Sequence, residues 1–300
     1  LTLGTLVAGQ AFVAMLLESL GMLIFIGVLS QSVVSAGAQA DETLRTPLDP
    51  EAIAPRNPAP LERIAGAIRL SGITFGYDPS ERPLIDRLDL DIAQGSRVAL
   101  VGSSGGGKTT IARLVMGQLR PWSGVVELDG TPRLCIRRDV RGAAVSYVPQ
   151  TPVLFAGTVR DNLTLWDPHI DSEVLNRATA DACIQQAILA RPGGYYATIS
   201  GQGGGFSGGE IQRLAIARAL VNDPTVLILD EATSALDPVV EAQVESNLRA
   251  RGCTTLVVAH RLSTIRDADE ILVIADGGIA QRGRFEDLAR GGLFAELIRG

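Results

Sequence analysis

The chain begins on one hydrophobic rhythm and continues on another. From Leu1 to Ala40 the only ionisable side chain is Glu18, set between LVAGQAFVAMLL and LGMLIFIGVL. About 20 apolar residues are enough for a helix to cross a bilayer. The pattern therefore predicts one membrane-spanning helix over residues 1–40, running on past the membrane as a more polar helix. A signal peptide would need a basic start, which is missing here, and a buried helical hairpin is the soluble alternative. A carboxylate at mid-span is costly in lipid, so Glu18 is expected to face protein or water.

Pro47, Pro50, Pro55, Pro58 and Pro60 interrupt regular structure in the next stretch, and residues 41–65 are expected to be a linker. From residue 66 to 300 short β-rich runs alternate with helical patterns. RVALVG (97–102), AVSYV (144–148), TVLIL (225–229), TTLVVA (254–259) and EILVIA (270–275) are mostly continuous apolar runs. Such strands belong to a sheet covered on both faces. The stretch ITFGYDPSERPLIDRLDLDI (73–92) alternates instead and predicts an antiparallel sheet at one side. The fold class is α/β.

Charge narrows the partners. The net charge is −6 with no basic block, which argues against a nucleic acid held by phosphate neutralisation. Cys135, Cys183 and Cys253 are scattered without metal-like spacing and are expected to be buried thiols in a reducing compartment. Of the 27 basic residues only Lys108 is a lysine. It sits inside a glycine-rich loop, where a thin-stemmed point charge can thread and a planar guanidinium cannot.

That loop carries the clearest chemistry. Gly102-Ser103-Ser104-Gly105-Gly106-Gly107-Lys108-Thr109, followed by Thr110, fits G-x-x-x-x-G-K-[ST] between an apolar strand and the helical pattern TIARLVMGQL. Loop amides would surround phosphates, Lys108 would reach the β and γ positions, and Thr109 would hold Mg²⁺. VLILDE ends a buried strand on two acids. Asp230 suits a Mg²⁺ shell, and Glu231 is placed to polarise an attacking water; an exposed helix-capping acid is the plainer reading. His260 after TTLVVA is placed to touch a γ-phosphate or that water, and Tyr77 in FGY to stack on a base. Alone, each of them, like Gln150 after YVP, reads equally well as structural, a strand-end histidine or an exposed tyrosine being common.

A second stretch, GGGFSGGEIQRLAIARAL (203–220), raises a separate question. Ser207 and Glu210 form a capping box at a helix start. That explains neither Gly208 nor Gly209, each costing about 1 kcal/mol against alanine inside a helix. Glycines at a helix N-terminus suit the close approach of an anion.

In order, Tyr77, GSSGGGKT, Gln150, FSGGE, LILDE, SALD (234–237) and His260 resemble the nucleotide-binding domain of ABC transporters over roughly residues 66–300. The resemblance implies a P-loop NTPase with an antiparallel β subdomain and a helical signature subdomain, preceded by the last transmembrane helix of an exporter-type subunit. It implies ATP and Mg²⁺ as ligands. Glu231, His260 and Gln150 are then catalytic, and Thr109, Gln150 and Asp230 hold the metal. Ser207, Gly208 and Gly209 would touch the γ-phosphate held by a second subunit, and Asp237 would lie across that interface. LFAGTVRDNL (154–163) is similar to the exporter region that meets the membrane domain. DETLRTPLDPEA, PWSG, RDNLTLWDP and ARPGGY are similar to bacterial exporters of bacteriocin-type peptides.

The expectation is thus the ATP-hydrolysing part of a bacterial cytoplasmic-membrane exporter, dimeric, joined to a membrane domain of the same longer polypeptide, with peptide cargo and no nucleic acid. A soluble ABC-type ATPase acting as a clamp or on nucleic acid, and a module that senses ATP without turnover, are the rival classes. One departure stands out: exporters usually carry a glutamate where this chain has Gly201.

Overall fold

The computed structural model describes residues 3–45, 55, 58–200, 205–259 and 261–299. Two units are present, Leu1–Ile53 and Ala54–Gly300.

The first unit is helix α1 (Leu3–Arg45), 43 residues without a break. At 1.5 Å per residue it is about 65 Å long. Its most apolar 18-residue window has a mean hydropathy of 2.4, and by length and composition it can cross a membrane. The hairpin alternative does not form. Ser19, Ser30, Ser32 and Thr43 return their hydroxyls to carbonyls three or four residues back, so these polar groups are satisfied within the helix. The helix continues to Arg45, beyond the expected boundary at residue 40, and an Asp41–Arg45 ion pair one turn apart sits in that extension.

In the second unit the strands are β1 (Ile68–Phe75), β2 (Ile85–Ile92), β3 (Arg97–Val101), β4 (Ser123–Leu128), β5 (Thr131–Pro132), β6 (Val145–Val148), β7 (Gly157–Thr158), β8 (Thr198–Ile199), β9 (Val226–Asp230), β10 (Thr254–Val258), β11 (Glu270–Ala275) and β12 (Gly278–Gly283). Helices α2 (Lys108–Met116), α3 (Arg138–Ala144), α4 (Val159–Thr164), α5 (Ser172–Asp181), α6 (Gln185–Leu189), α7 (Gly208–Leu220), α8 (Pro238–Arg251), α9 (Leu262–Arg266), α10 (Phe285–Leu288) and α11 (Leu293–Leu297) connect them.

The main sheet has the order β12-β11-β3-β10-β9-β6, parallel from β11 to β6 with β12 antiparallel at its edge. Every residue of β3, β9 and β10 is buried, as continuous apolar strands between two helical layers require. A separate antiparallel sheet, β2-β1-β4-β5, stands at one side as the alternating pattern predicts. Helices α4 to α7 share a core with β6 and β9 in which Leu163, Leu175, Ile188 and Leu214 are buried.

Two expectations change. The expected linker 41–65 is helical as far as Arg45, and its other end belongs to the compact unit. Ile64 is fully buried, Ala59 N–H donates to the Cys135 carbonyl at 2.8 Å, and the Asp129 carboxylate accepts from the backbone of Ala65, Gly66 and Ala67. Three backbone donors on one carboxylate hold this entry segment in place, whatever its proline content. Cys135 is exposed, not buried, while Cys183 and Cys253 are half-buried; Cys135 lies in a surface turn, where its small thiol has no core to fill.

Candidate functional site

The register of the parallel sheet brings the chemistry together. Leu100 on β3 and Asp230 on β9 are both opposite Val258 on the strand between them, and Val148 on β6 is opposite Leu229. The loops leaving β3, β6 and β9 therefore emerge at one carboxyl edge, the place where open α/β sheets bind ligands. Tyr77, Ser104, Gly105, Gly107, Lys108, Thr109, Thr110, Gln150 and Glu231 line a single open cleft there.

Glycine is required at two loop positions. A Cβ on Gly102, at φ +147°, would stand 2.3 Å from the Ile274 carbonyl oxygen. Gly107, at φ +94°, would drive a Cβ into Ile85 at 2.6 Å, and it caps α2 in a left-handed conformation. The far end of α2 stops at Gly117, also left-handed, whose N–H returns to the last turn; the helix is shorter than TIARLVMGQL suggests for that reason.

Lys108 folds back over the loop, its Nζ donating to the Gly102 and Ser103 carbonyls at 2.9 Å each. Burial pushes its ammonium down from the ordinary lysine range, opposed by the charges of Glu231 and Asp230. Thr109 Oγ1 donates to Asp230 Oδ1 at 3.0 Å, and Tyr147 Oη donates to Asp230 Oδ2 at 2.8 Å. Burial first, then the Asp230 bond, pushes the Tyr147 phenol up to about 12. Gln150 Nε2 donates to Glu231 Oε2 at 2.6 Å. Glu231 itself has φ +51°, a left-handed conformation that strains a side-chain-bearing residue. Its N–H donates to the Val258 carbonyl at 3.0 Å, so the kink is anchored at the sheet edge.

Tyr77 is exposed at the mouth of the cleft, edge-on to Phe75 with ring centroids 5.2 Å apart and its hydroxyl 3.2 Å from Thr110 Oγ1. His260 and Gly201 lie outside the described residues.

The second glycine-rich stretch starts α7. Ser207 is its N-cap, and Glu210 completes the capping box by accepting from the Ser207 N–H at 2.8 Å. Glu210 is held below the usual carboxylate range, chiefly by that backbone bond. Upstream, the Arg191 guanidinium lies 3.5 Å over the buried Phe206 ring and donates to the Gly205 carbonyl. Gly208 is exposed, and a Cβ there would meet no described atom within 4 Å. Gly209 approaches the Ala235 carbonyl, at 3.0 Å from where its Cβ would stand. Asp237 caps α8, accepting from Val239 and Val240.

Ser207, Gly208, Gly209 and Asp237 are absent from the lining of the cleft that holds Lys108. Sequence reasoning missed Tyr147 and Gln212. The buried Gln212 donates to Ser234 Oγ and accepts from the Ala235 N–H, tying α7 to the loop after Glu231. The available signal was a polar-tipped tyrosine in an otherwise apolar strand and a glutamine on the buried face of α7.

A glycine loop between strand and helix, with lysine and threonine at its end and two adjacent acids at the carboxyl end of β9, two strands along the sheet, defines a P-loop nucleotide-binding fold. Comparison with known proteins narrows the class. The ABC transporter family model matches residues 85–234, and the chain belongs to that family and carries its ATPase domain. It is 43% identical over 246 residues to the human (Homo sapiens) mitochondrial potassium channel ATP-binding subunit, covering 80% of this chain and 33% of that protein. It is 41% identical to an ATM1-type heavy metal exporter of Novosphingobium aromaticivorans, covering 77% and 38%. It is 40% identical to an ATP-dependent lipid A-core flippase of Burkholderia orbicola, covering 80% and 41%. The structure of a bacterial Atm1-family ABC exporter with ATP bound matches with a TM-score of 0.82 at 38% identity, covering 90% of this chain and 47% of the other. The chain spans about a third of the length of the first relatives it matches. None of these relatives is named as a peptide exporter.

Proposed function

We propose that the chain is the ATP-binding and ATP-hydrolysing part of an ABC exporter whose two nucleotide sites are each completed by a second subunit. The convergence of Lys108, Thr109, Gln150 and Glu231 on one cleft, with Asp230 behind Thr109, carries this reading.

The loop amides and the Lys108 ammonium, released from the Gly102 and Ser103 carbonyls, bind the β- and γ-phosphates. Thr109 Oγ1, the Asp230 carboxylate and the Gln150 side-chain carbonyl are oxygen donors of the kind a hard divalent cation takes. They fit Mg²⁺, which when bound neutralises charge on the phosphate oxygens. Glu231 accepts a proton as water attacks the γ-phosphorus. The bond to the β–γ bridging oxygen breaks, and ADP and phosphate leave. His260 is assigned to the γ-phosphate and Tyr77 to the base.

The dimer reading rests on Gly208. No described neighbour restricts a side chain there, yet the position carries a poor helix former at the positive end of a 13-residue helix. A partner's γ-phosphate accounts for it, with Ser207 and Gly209 beside it and Asp237 across the same interface. Val153, Phe155 and Trp166 are exposed apolar side chains around LFAGTVRDNL, which supports docking of a membrane domain there. α1 supports a place in a membrane, proposed as the bacterial cytoplasmic membrane.

Phosphate release from ATP by the purified chain, abolished by Lys108→Ala, tests the ATPase reading. The finer cargo reading, a bacteriocin-type peptide, is supported only by the sequence stretches DETLRTPLDPEA, PWSG, RDNLTLWDP and ARPGGY. Of the relatives, one is named as a potassium channel ATP-binding subunit, one as a heavy metal exporter and one as a lipid A-core flippase. Transport by the full polypeptide in vesicles, offered each cargo class in turn, separates the readings: uptake of metal or lipid without peptide removes the peptide assignment.

A further inference from the structure

Tyr147 sits in β6, one strand away from the carboxylate it touches. Its neighbours Val145, Ser146 and Val148 are buried, and an aliphatic side chain would suit the position equally as packing. A hydroxyl brought into such a place is costly without a partner, and here the partner is Asp230. The two oxygens of Asp230, a residue only 3% exposed, take donors from two different elements. Thr109 on α2 holds Oδ1 and Tyr147 on β6 holds Oδ2. Donors on opposite oxygens fix the rotation of the carboxylate plane, which is otherwise a soft torsion.

The two donors are not equivalent. Thr109 belongs to the oxygen set that fits Mg²⁺, so its bond to Oδ1 is the one given up when a cation arrives. Tyr147 Oη keeps Oδ2. Arg113 on α2, one turn beyond Thr109, is near enough for the tyrosine to be the largest influence raising its guanidinium above the ordinary arginine range.

We propose that Tyr147 is a positioning residue for the metal site: through its hydroxyl bond it holds the plane of Asp230 toward the cleft, so that Mg²⁺ binds tightly only while that bond is intact. The inference rests on the ATP·Mg²⁺ reading of the cleft. Tyr147 touches neither substrate nor metal. Its effect appears as metal dependence, while ATP binding without metal, which uses the loop amides and Lys108, is untouched.

The test is Tyr147→Phe, which deletes one oxygen and keeps the ring that fills the space. ATP binding to the purified chain is measured by calorimetry in EDTA and across a Mg²⁺ titration. Mn²⁺ binding to the protein–ATP complex is followed in parallel by electron paramagnetic resonance. The proposal expects unchanged affinity in EDTA and about a 10-fold rise in the Mg²⁺ and Mn²⁺ concentrations for half-saturation, the size seen when a ligand's supporting hydrogen bond is removed. Superimposable metal titrations overturn it while leaving the ATP site in place. An equal loss with and without metal also overturns it, marking Tyr147 as packing. Failure of the unmodified chain to bind ATP in either condition removes the ATP-site reading itself.

Discussion

Gln150 donates its side-chain amide to Glu231 at 2.6 Å, joining the loop that leaves β6 to the acid that follows β9. The link gives Glu231 a fixed direction in the cleft at a strained backbone position. Glu231→Gln keeps the side chain's size and removes its basicity. ATP binding is expected to persist while phosphate release falls by about 10²- to 10⁴-fold, the usual weight of a positioned base. The closed dimer should accumulate with ATP, seen as a doubled mass in light scattering. Unchanged turnover removes the general-base assignment.

Lys108 gives a pH dependence with a definite sign. In the ligand-free chain burial lowers its pKa, and phosphates in the cleft raise it again. Binding therefore takes up a proton wherever the free lysine is partly neutral. ATP affinity should be flat at lower pH and fall as pH rises through the lowered value, read by titrations from about pH 7 to pH 10. Lys108→Ala is expected to bind ATP about 10- to 100-fold more weakly, the cost of a charge-assisted hydrogen bond, and to lose the lysine-dependent fall.

Gly102 carries a fold prediction. Alanine there forces a Cβ to 2.3 Å from the Ile274 carbonyl at a φ of +147°. Gly102→Ala should destabilise the second unit by about 2 kcal/mol or more, measured by urea unfolding. Gly105→Ala, at φ +80° but with open space around it, should cost less. Equal costs at the two sites contradict the close-approach argument.

Gly208→Asp places a like charge where a partner's γ-phosphate is proposed to sit. ATP should still bind each chain at its own cleft, and ATP-driven dimerisation should disappear in sedimentation measurements. Dimerisation that survives removes the in-trans role of α7.

The legible part of this molecule was whatever follows from periodicity and from glycine. The continuous runs RVALV and VLILD became fully buried central strands, and the alternating run became the antiparallel β1–β2 pair. The Ser207–Glu210 capping box formed as the spacing demands. Less legible was the stretch 58–65, where prolines suggested a free linker. Its anchoring depends on Asp129, more than 60 positions away, and local composition carries no trace of that pairing. Tyr147 was hidden for a similar reason, since only the β6–β9 register brings it to Asp230.

Mixing two inactive variants tests the central claim, that each site is built from two chains. Lys108→Ala lacks the lysine of its own phosphate loop but keeps Ser207–Gly209; Gly208→Asp keeps the whole loop but cannot offer its α7 N-terminus to the partner's γ-phosphate. Each alone should release little phosphate from ATP. Mixed, they form dimers in which one site takes its loop from the Gly208→Asp chain and its α7 N-terminus from the Lys108→Ala chain. The account predicts that ATPase activity reappears on mixing and rises with protein concentration. A mixture no more active than the separate variants, or a Gly208→Asp chain that hydrolyses ATP alone at the unmodified rate, contradicts it.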